Sequence, residues 1–467
     1  MRKVEHVVVL MLENRSFDCL LGRLYPAGGC ADGLDGTTAN PWHKPDGSVA
    51  VIHSWNSPAI TPAAARIPDP EPGELFADVK MQLFGLDERG DESGEPTMSG
   101  FVDNYARQQP PLKLDDPGGV MHYFLPRQVP VISRLALEFG LSDRWHASAP
   151  CETWPNRYFA HCGTGGGYVN NSIPHFPYQL PRTMPTIFRR LGAHGYSWKI
   201  YFHDLPQTAT LLDLWPKVPT HFCLFEDEFA RHCRTGRLPN YSFIEPRYFP
   251  SLFGNEPPND EHPPHNLLYG EQLIAAVYNA VRNAPTWPQT LLIITYDEHG
   301  GIFDHVPPPA AVPPGPPYPD GFRFDRYGVR VPAVVVSPYV PRGSIIRPPP
   351  RPDGGSPYPF DHTSIAATLH RLFDIGEPLT PRVAAAPDLL SALTLEGPEN
   401  NGPAHIDFDP RRPTRSEMRA CRRRKHNRHQ HYLRNPIIAL PAAAIGIAAR
   451  VRGLGARLVP ESWRYRR

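Results

Sequence analysis

The sequence predicts an α/β fold in which a mainly parallel β-sheet is sandwiched by helices. Short runs of β-branched residues alternate along the chain with segments that carry apolar residues at three-to-four spacing. Hydrophobic residues make up 40% of the 467 positions and charged residues 20%, a composition that supports a packed core and excludes a disordered or fibrous protein. The 59 Pro and 37 Gly predict long irregular connections around that core.

Five strands and three helices stand out from this pattern. In chain order, the predicted strands are His6–Met11, Ser197–Phe202, Tyr241–Ile244, Leu291–Tyr296 and Ala333–Ser337. The predicted helices are Met184–His194, Gly270–Asn283 and Ser364–Phe373. Residues from about 25 to 120 are rich in Pro and Gly with little periodicity, and we interpret them as an insertion over one face of the sheet.

The net charge of +1 conceals two parts of opposite charge. Residues 411–467 hold 16 Arg and Lys and only two acidic residues, which leaves 32 of the 48 basic and 45 of the 47 acidic residues in the rest. Nucleic acids are attracted to positive surfaces, so the acidic body argues against a nucleic-acid partner.

The basic C-terminal tail has two interpretations. Its cationic cluster flanks an apolar segment, residues 436–449, which is too short to span a bilayer but suits the surface of an anionic membrane. The alternative is a helix folded back onto the acidic body. We recognise neither a signal peptide nor a run of 18 apolar residues, and therefore expect a cytoplasmic or peripheral membrane protein rather than a secreted one.

Polar residues follow two of the predicted strands directly, where an open α/β sheet binds its ligands. Glu13 and Asn14 follow the first strand, although a solvated turn or helix cap would also explain them. Asp297 and Glu298 follow another, and two adjacent carboxylates are normally tolerated only where a cation neutralises them. Three carboxylates and an amide oxygen suit Mg²⁺, Ca²⁺ or Mn²⁺, and an added His would favour Zn²⁺.

A hydroxyl group is placed at a predicted helix start. Thr153 precedes Pro155 by two residues, a spacing typical of a helix start with Thr153 near the N-cap. Capping alone would explain this spacing without any catalytic role. The same position gives the hydroxyl a positive potential that binds phosphate, and beside a metal ion it becomes a nucleophile.

Three histidines are candidate proton carriers or phosphate ligands. His262 lies in a polar loop ahead of a helix, and an Asp that can orient the ring precedes both His305 and His362. The chain has 21 His, however, so most of them must be structural or exposed.

Several segments together resemble the phosphoesterase family of bacterial phospholipases C, plant non-specific phospholipases C and related acid phosphatases, within the alkaline-phosphatase-like superfamily. In order, they are VVVLMLENRSFDCLLG (7–22), SGFVDNY (99–105), SDRWHASAPCETWPNRYFAHCGT (142–164), NDEHPPHN (259–266), ITYDEHGGIFDHVPPP (294–309), FDRYGVRVPAVVVSPYV (324–340) and FDHTSI (360–365). The resemblance implies a phosphoesterase catalytic domain over residues 1–409, followed by the tail, residues 410–467.

The resemblance also implies an activity and a set of roles. The chain would be a metal-dependent, phospholipase C-like hydrolase of phosphoric esters that acts on a phospholipid or another phosphate ester. One divalent metal ion would be held by Glu13, Asn14, Asp297 and Glu298. Thr153 would form a phospho-threonyl intermediate, and His262 would contact the phosphate or protonate the leaving alcohol. The family motifs also place His305 and His362 in the catalytic group, and Asn14, Asn156 and Arg157 among the substrate-binding residues.

One position departs from the family pattern. Family members commonly have a His in the segment that corresponds to residues 69–79, and this chain has Glu74 there. An acid at a phosphate-binding position would weaken the site or change its substrate. Two alternatives therefore stay open: an acid phosphatase that acts on soluble monoesters, and a binding protein of the same fold with weakened catalysis.

Overall fold

The computed structural model of the chain describes residues 3–85, 94–108, 117–171, 184–251, 254–351, 353–424, 427–434, 444–447 and 449. The strands are β1 (His6–Leu12), β2 (Ala39–His43), β3 (Val49–His53), β4 (Gly140–Ser142), β5 (Trp198–Phe202), β6 (Phe222–Leu224), β7 (Tyr241–Ile244), β8 (Thr290–Tyr296), β9 (Ala333–Val336) and β10 (Ser344–Ile345). The helices are α1 (Phe17–Leu20), α2 (Phe76–Phe84), α3 (Phe101–Ala106), α4 (Pro130–Glu138), α5 (Thr153–Cys162), α6 (Ile187–Ala193), α7 (Val218–His221), α8 (Ala230–Arg234), α9 (Leu268–Arg282), α10 (Thr363–Phe373), α11 (Pro381–Ala385), α12 (Arg415–Arg423) and α13 (Arg428–Leu433).

Eight strands form one sheet in the order β10-β4-β9-β8-β1-β7-β5-β6. The neighbours from β8 to β6 are parallel, whereas β9 runs antiparallel to both β8 and β4. The predicted α/β class and mainly parallel sheet are confirmed, and all five predicted strands are present. The direction of β9 could not be predicted, because a strand buried on both faces has the same apolar pattern in either direction.

Helices pack against each other in two groups that flank the sheet. One group joins α4, α8 and α9, and the other joins α5, α6, α10 and α11. The predicted helices correspond to α6, α9 and α10, with ends that differ from the prediction by one to three residues. The main core contains the buried faces of these helices and the central strands.

The neighbouring strands β1 and β8 end at the same level. They pair in parallel from His6 opposite Thr290 to Leu12 opposite Tyr296, and every residue of β8 is buried. The residues that follow the two strands therefore emerge side by side at the carboxyl edge of the sheet.

The predicted insertion contains more regular structure than its composition indicated. Strands β2 and β3 form an antiparallel hairpin, and α2 and α3 pack in a small core that includes Val79, Leu83 and Phe101. The insertion reaches the carboxyl edge of the sheet, since a Cβ built on Gly301 would lie only 2.4 Å from the carbonyl oxygen of Gly73.

Two helices of the C-terminal tail pack on the body. Met418 of α12 and Leu433 of α13 are buried, and Arg424 forms an ion pair of 2.9 Å with Asp69. The folded-back interpretation therefore describes residues 411–424 and 427–434, while most of the apolar segment 436–449 lies outside the described residues. In the described part of the chain, no helix has the length and apolar character needed to cross a membrane.

A buried arginine holds together the segments that follow β1 and β8. The Arg330 guanidinium donates to the carboxylates of Asp304 (2.9 Å) and Asp18 (3.2 Å) and to the carbonyl oxygens of Asp32 and Asp143. Arg330 and both carboxylates are almost wholly buried, so each charge depends on the others for compensation.

Replacing this arginine should destabilise the fold strongly. We expect Arg330→Met to lower the free energy of unfolding by about 3–5 kcal/mol, because Asp18 and Asp304 would be left buried without their cation. Arg342→Met is the matched control, since its ion pair with Glu138 is exposed and is worth at most about 1 kcal/mol. Denaturant unfolding of both variants measures the difference, and equal stabilities would contradict the structural role of Arg330.

Candidate active site

The four predicted metal ligands lie together at the carboxyl edge of the sheet. Glu13, Asn14, Asp297 and Glu298 are all at most 1% exposed. The backbone N–H of Asn14 donates to Asp297 Oδ1 at 3.0 Å, and its side-chain Nδ2 donates to Glu298 Oε1. The parallel register of β1 and β8 brings the four residues together. Glu13 and Asn14 directly follow β1, and Asp297 and Glu298 directly follow β8.

The glycine after these carboxylates makes the close approach possible. Gly300 has a φ of +64°, and a Cβ at this position would lie 2.6 Å from the carbonyl oxygen of Asn14. Its N–H donates to Glu298 Oε2 at 2.7 Å. The glycine therefore permits a tight turn, which holds one of the carboxylates as well as reversing the chain.

The electrostatics of the four residues suit a divalent cation. Burial raises the pKa of Glu13, Asp297 and Glu298, and the charge of neighbouring carboxylates raises each of them further. Asn14 Oδ1 is buried and has no hydrogen-bond partner among the described residues. A bound cation would relieve the repulsion and use this amide oxygen, so the residues present fit a hard metal ion.

Arg157 was predicted to bind substrate, and it holds two of the carboxylates. Its guanidinium pairs with Glu13 Oε1 at 2.6 Å and with Asp297 Oδ2 at 3.1 Å. It also donates to the carbonyl oxygens of Met11 and Leu12 at the end of β1. Arg157 is only 2% exposed, and its Nη1 has no hydrogen-bond partner among the described residues. These contacts position the carboxylates, and the substrate-binding role of Arg157 stays a prediction.

Thr153 is the first residue of α5 and does not cap it. Glu152 occupies the cap position, and the Asn171 side chain accepts a hydrogen bond from the Trp154 N–H at 2.9 Å. The Thr153 hydroxyl is buried with no hydrogen-bond partner among the described residues. Thr153 and Arg157 are four residues apart and share one face of α5, which places the hydroxyl on the side that meets the carboxylates.

Asn156 was also predicted to bind substrate, and the structure gives it another task. Its Oδ1 accepts from the Ala149 N–H at 3.0 Å, and its Nδ2 donates to the carbonyl oxygens of Cys151 (2.8 Å) and Glu152 (3.1 Å). Both ends of the amide are thus used to fix the turn that leads into Thr153. Asn156 therefore positions Thr153, and its substrate-binding role stays a prediction.

His262 faces two carboxylates of the insertion. Its Nδ1 donates to the Pro263 carbonyl at 2.7 Å, and its Nε2 lies 3.6 Å from carboxylate oxygens of both Glu71 and Glu74. Burial by itself would lower the pKa of His262, but the negative charges of Glu74, Glu71 and Glu13 raise it well above the usual range. These carboxylates therefore favour the protonated form of the imidazole.

Glu74 joins the candidate site directly. It is 1% exposed, and its Oε2 accepts a hydrogen bond of 2.6 Å from Asn14 Nδ2, the group that also contacts Glu298. Glu71, Glu74 and His262 are arranged closely enough to hold a metal ion. The position at which the family pattern has a His is thus occupied by a carboxylate that faces the predicted metal ligands.

His362 lies behind the site, and His305 belongs to a different cluster. His362 Nε2 donates to the Asp297 carbonyl oxygen at 2.5 Å, and burial lowers its pKa to about 4, so the ring is neutral and supports the Asp297 backbone. His305 contacts Asp18 at 2.7 Å and Asp32 at 3.1 Å, beside Arg330. Although burial opposes it, these carboxylates raise the pKa of His305 to about 10. These contacts give both histidines positioning roles, and their predicted catalytic roles stay predictions.

Sequence analysis missed several residues that support the site. Gln207 Nε2 donates to Glu13 Oε1 at 2.7 Å, and the Glu245 carboxylate fixes the backbone of Gln207 at 2.6 Å. Glu245 directly follows β7, so the rule that singled out Glu13 and Asp297 could have found it. Glu71 and Asn171 gave no comparable signal, because each reaches the site from a loop without periodic pattern.

Comparison with solved structures finds partial likenesses. A protein of the alkaline phosphatase superfamily from Vibrio parahaemolyticus has a TM-score of 0.31 at 13% identity, with 56% of this chain and 63% of that chain covered. A lipoteichoic acid synthase from Listeria monocytogenes has a TM-score of 0.35 at 12% identity, with 68% and 86% covered. These scores are too low to carry an argument about fold or activity.

Comparison of sequences is far more specific. Non-specific phospholipase C1 of Arabidopsis thaliana is 37% identical over 380 residues, which cover 80% of this chain and 67% of that protein. Non-specific phospholipase C6 of the same plant is 38% identical, with 84% and 73% covered. Phospholipase C A of Mycobacterium tuberculosis is 28% identical, with 85% and 78% covered. The model of the phosphoesterase family matches residues 4–376, and the chain therefore belongs to this family of hydrolases that act on ester bonds.

Proposed function

We propose that the protein is a metal-dependent hydrolase of the phospholipase C type, which cleaves phosphoester bonds through a covalent intermediate on Thr153. The observation that carries this proposal is the geometry of α5. Arg157 of this helix pairs with Glu13 and Asp297, and one turn earlier the same face presents a buried, unbonded hydroxyl. A nucleophile beside clustered carboxylates is the arrangement that metal-assisted phosphoryl transfer requires.

Glu13, Asn14, Asp297 and Glu298 would hold one divalent ion, with Ca²⁺, Mg²⁺, Mn²⁺ and Zn²⁺ as the candidates. When bound, such an ion lowers the pKa of a nearby hydroxyl and stabilises negative charge on phosphoryl oxygens. The protein contributes the rigid frame: Arg157 and Gln207 orient Glu13, while the Gly300 N–H orients Glu298.

The reaction proceeds in two steps at residues of this chain. Thr153 Oγ1 attacks phosphorus and its proton passes to water, the bond to the leaving oxygen breaks, and His262 gives its Nε2 proton to the departing alcohol. Water then attacks phosphorus and gives one proton to His262, the bond from phosphorus to Thr153 Oγ1 breaks, and the Thr153 oxygen takes a proton from solvent. Dividing the hydrolysis in this way replaces one difficult step with two easier ones.

Lipid is the proposed substrate, and the names of the relatives support it. The Arabidopsis and Mycobacterium proteins are phospholipases C, and their similarity extends across most of this chain. Glu74 favours a substrate of low charge, because a carboxylate beside the reacting phosphate repels a dianionic monoester more than a monoanionic diester.

A paired assay with a Thr153→Ala variant tests both the chemistry and the substrate. We expect the wild-type protein with added divalent metal to release phosphocholine from phosphatidylcholine faster than it hydrolyses nitrophenyl phosphate. Thr153→Ala should lower both rates by about 10³-fold or more, since loss of a nucleophile in other hydrolases costs up to about 10⁶-fold. Thr153→Ser, which keeps the hydroxyl, is the matched control.

Near-normal turnover by Thr153→Ala would overturn the nucleophile assignment. A wild-type preference for nitrophenyl phosphate would identify a phosphatase of soluble monoesters instead. No turnover of either ester, with metal and phosphate still bound, would identify a binding protein.

Removal of the metal should abolish activity and leave the fold intact. We expect dialysis against chelator to stop turnover and readdition of one divalent ion to restore it. Asp297→Asn should weaken metal binding, measured by calorimetry, by at least about 10–100-fold. Changing a residue that only hydrogen-bonds to a metal ligand already causes a loss of this size. The exposed Asp325→Asn should bind metal normally. Full activity of the wild-type protein in chelator would contradict the four-ligand site.

We also propose that residues 411–467 contact anionic membranes. In α12, Arg415, Arg419 and Arg423 are exposed while Met418 is buried against the body, so the helix presents cations without undocking. Changing these three arginines to Gln should weaken binding to phosphatidylserine vesicles by about 100-fold, at about 1 kcal/mol for each charge. Turnover of a soluble ester should not change. Equal vesicle binding by variant and wild type in a sedimentation assay would exclude this surface.

A further inference from the structure

Four carboxylates lie near the candidate nucleophile and acid or near the tail residue Arg428. Glu71 and Glu74 each lie 3.6 Å from His262 Nε2, and Glu152 directly precedes Thr153. Asp78 lies in the first turn of α2, the helix that follows Glu74. We call these four residues, Glu71, Glu74, Asp78 and Glu152, the acidic rim. A rim of this charge repels an incoming phosphate ester unless a cation offsets it.

The tail supplies a cation at this rim. The Arg428 N–H donates to both carboxylate oxygens of Glu71 at 3.1 Å, and its guanidinium Nη1 lies 3.7 Å from Asp78 Oδ2. Burial lowers the pKa of Arg428, but Glu74, Glu71, Glu152 and Asp78 together raise it, which shows that all four rim charges act on the guanidinium.

The Arg428 side chain retains the capacity to bind a further acceptor. It is 29% exposed, and its Nη1 is buried with no hydrogen-bond partner among the described residues. The ion pair with Asp78 is too long for a hydrogen bond. A guanidinium in this state can donate two parallel hydrogen bonds to phosphate oxygens.

The helix that carries Arg428 is held in place beside the nucleophile. Asn427 and Gln430 form a capping box, and Gln430 Nε2 donates to the Tyr248 carbonyl oxygen at 2.5 Å. The Tyr432 ring lies 5.8 Å from the ring of Trp154, the residue next to Thr153. The position of Arg428 therefore depends on the folded-back tail and is fixed relative to α5.

We propose that Arg428 is a specificity-determining residue that offsets the acidic rim and binds the phosphate group of the ester. This inference rests on the proposed function, because it assumes that a phosphate ester reaches Thr153. In this arrangement the tail completes the substrate site, and a cation from residue 428 accompanies the acid at residue 74. The contribution of Arg428 to substrate binding is larger for a dianionic monoester than for a monoanionic diester.

Binding of inorganic phosphate to the metal-loaded, full-length protein tests the inference without requiring turnover. We expect Arg428→Gln to raise the dissociation constant of phosphate, measured by calorimetry, by about tenfold, as for loss of a charge-assisted hydrogen bond. The KM for nitrophenyl phosphate should rise by a similar factor, with a smaller change in kcat. Arg428→Lys should recover part of the affinity, because it keeps the charge but loses the planar fork.

Arg342→Gln is the matched control, since it removes one exposed arginine charge outside the tail. Wild-type phosphate affinity in Arg428→Gln would overturn the inference. If amide exchange shows that α13 detaches in this variant, Arg428→Lys with α13 docked decides: affinity equal to wild type overturns the inference, and a several-fold loss upholds it. Failure of the wild-type protein to hydrolyse any ester would refute the proposed function, while the phosphate measurements would still test Arg428.

Discussion

The candidate site depends on the parallel register of β1 and β8. Because Leu12 lies opposite Tyr296, the two strands end together and deliver two acidic pairs to one place at the edge of the sheet. A slip of one residue would move these side chains to the other face of each strand. The apolar residues of both strands are fully buried, so the core itself fixes the register.

Concentrated negative charge is the second constraint, and most of the surrounding structure compensates for it. Arg157 pairs with Glu13 and Asp297, the Gly300 N–H holds Glu298, and His262 lies 3.6 Å from both Glu71 and Glu74, whose charges raise the pKa of its imidazole. Buried carboxylates are costly without such partners. This negative charge favours the binding of a metal ion. It also explains why Arg157, a predicted substrate-binding residue, forms ion pairs with carboxylates.

The tail has a different meaning once its position is known. As a sequence it is a basic appendage beyond the family match, which ends at residue 376. In the folded chain, α13 lies against Glu71 and Trp154, and α12 keeps its arginines exposed. The opposite charges of body and tail thus attract each other within one molecule. We infer that the catalytic unit extends beyond residue 409, to include residues 427–434.

The sequence by itself determined the fold class, five of the ten strands in the described residues and the grouping of Glu13, Asn14, Asp297 and Glu298, because these follow from local apolar patterns and from what comes directly after each strand. Roles that depend on distant partners required the tertiary structure. Glu152, and not Thr153, occupies the cap position of α5, and Arg157 forms ion pairs with Glu13 and Asp297. Glu71 and Arg428 are 357 positions apart yet adjacent in space, and no local pattern records such a contact.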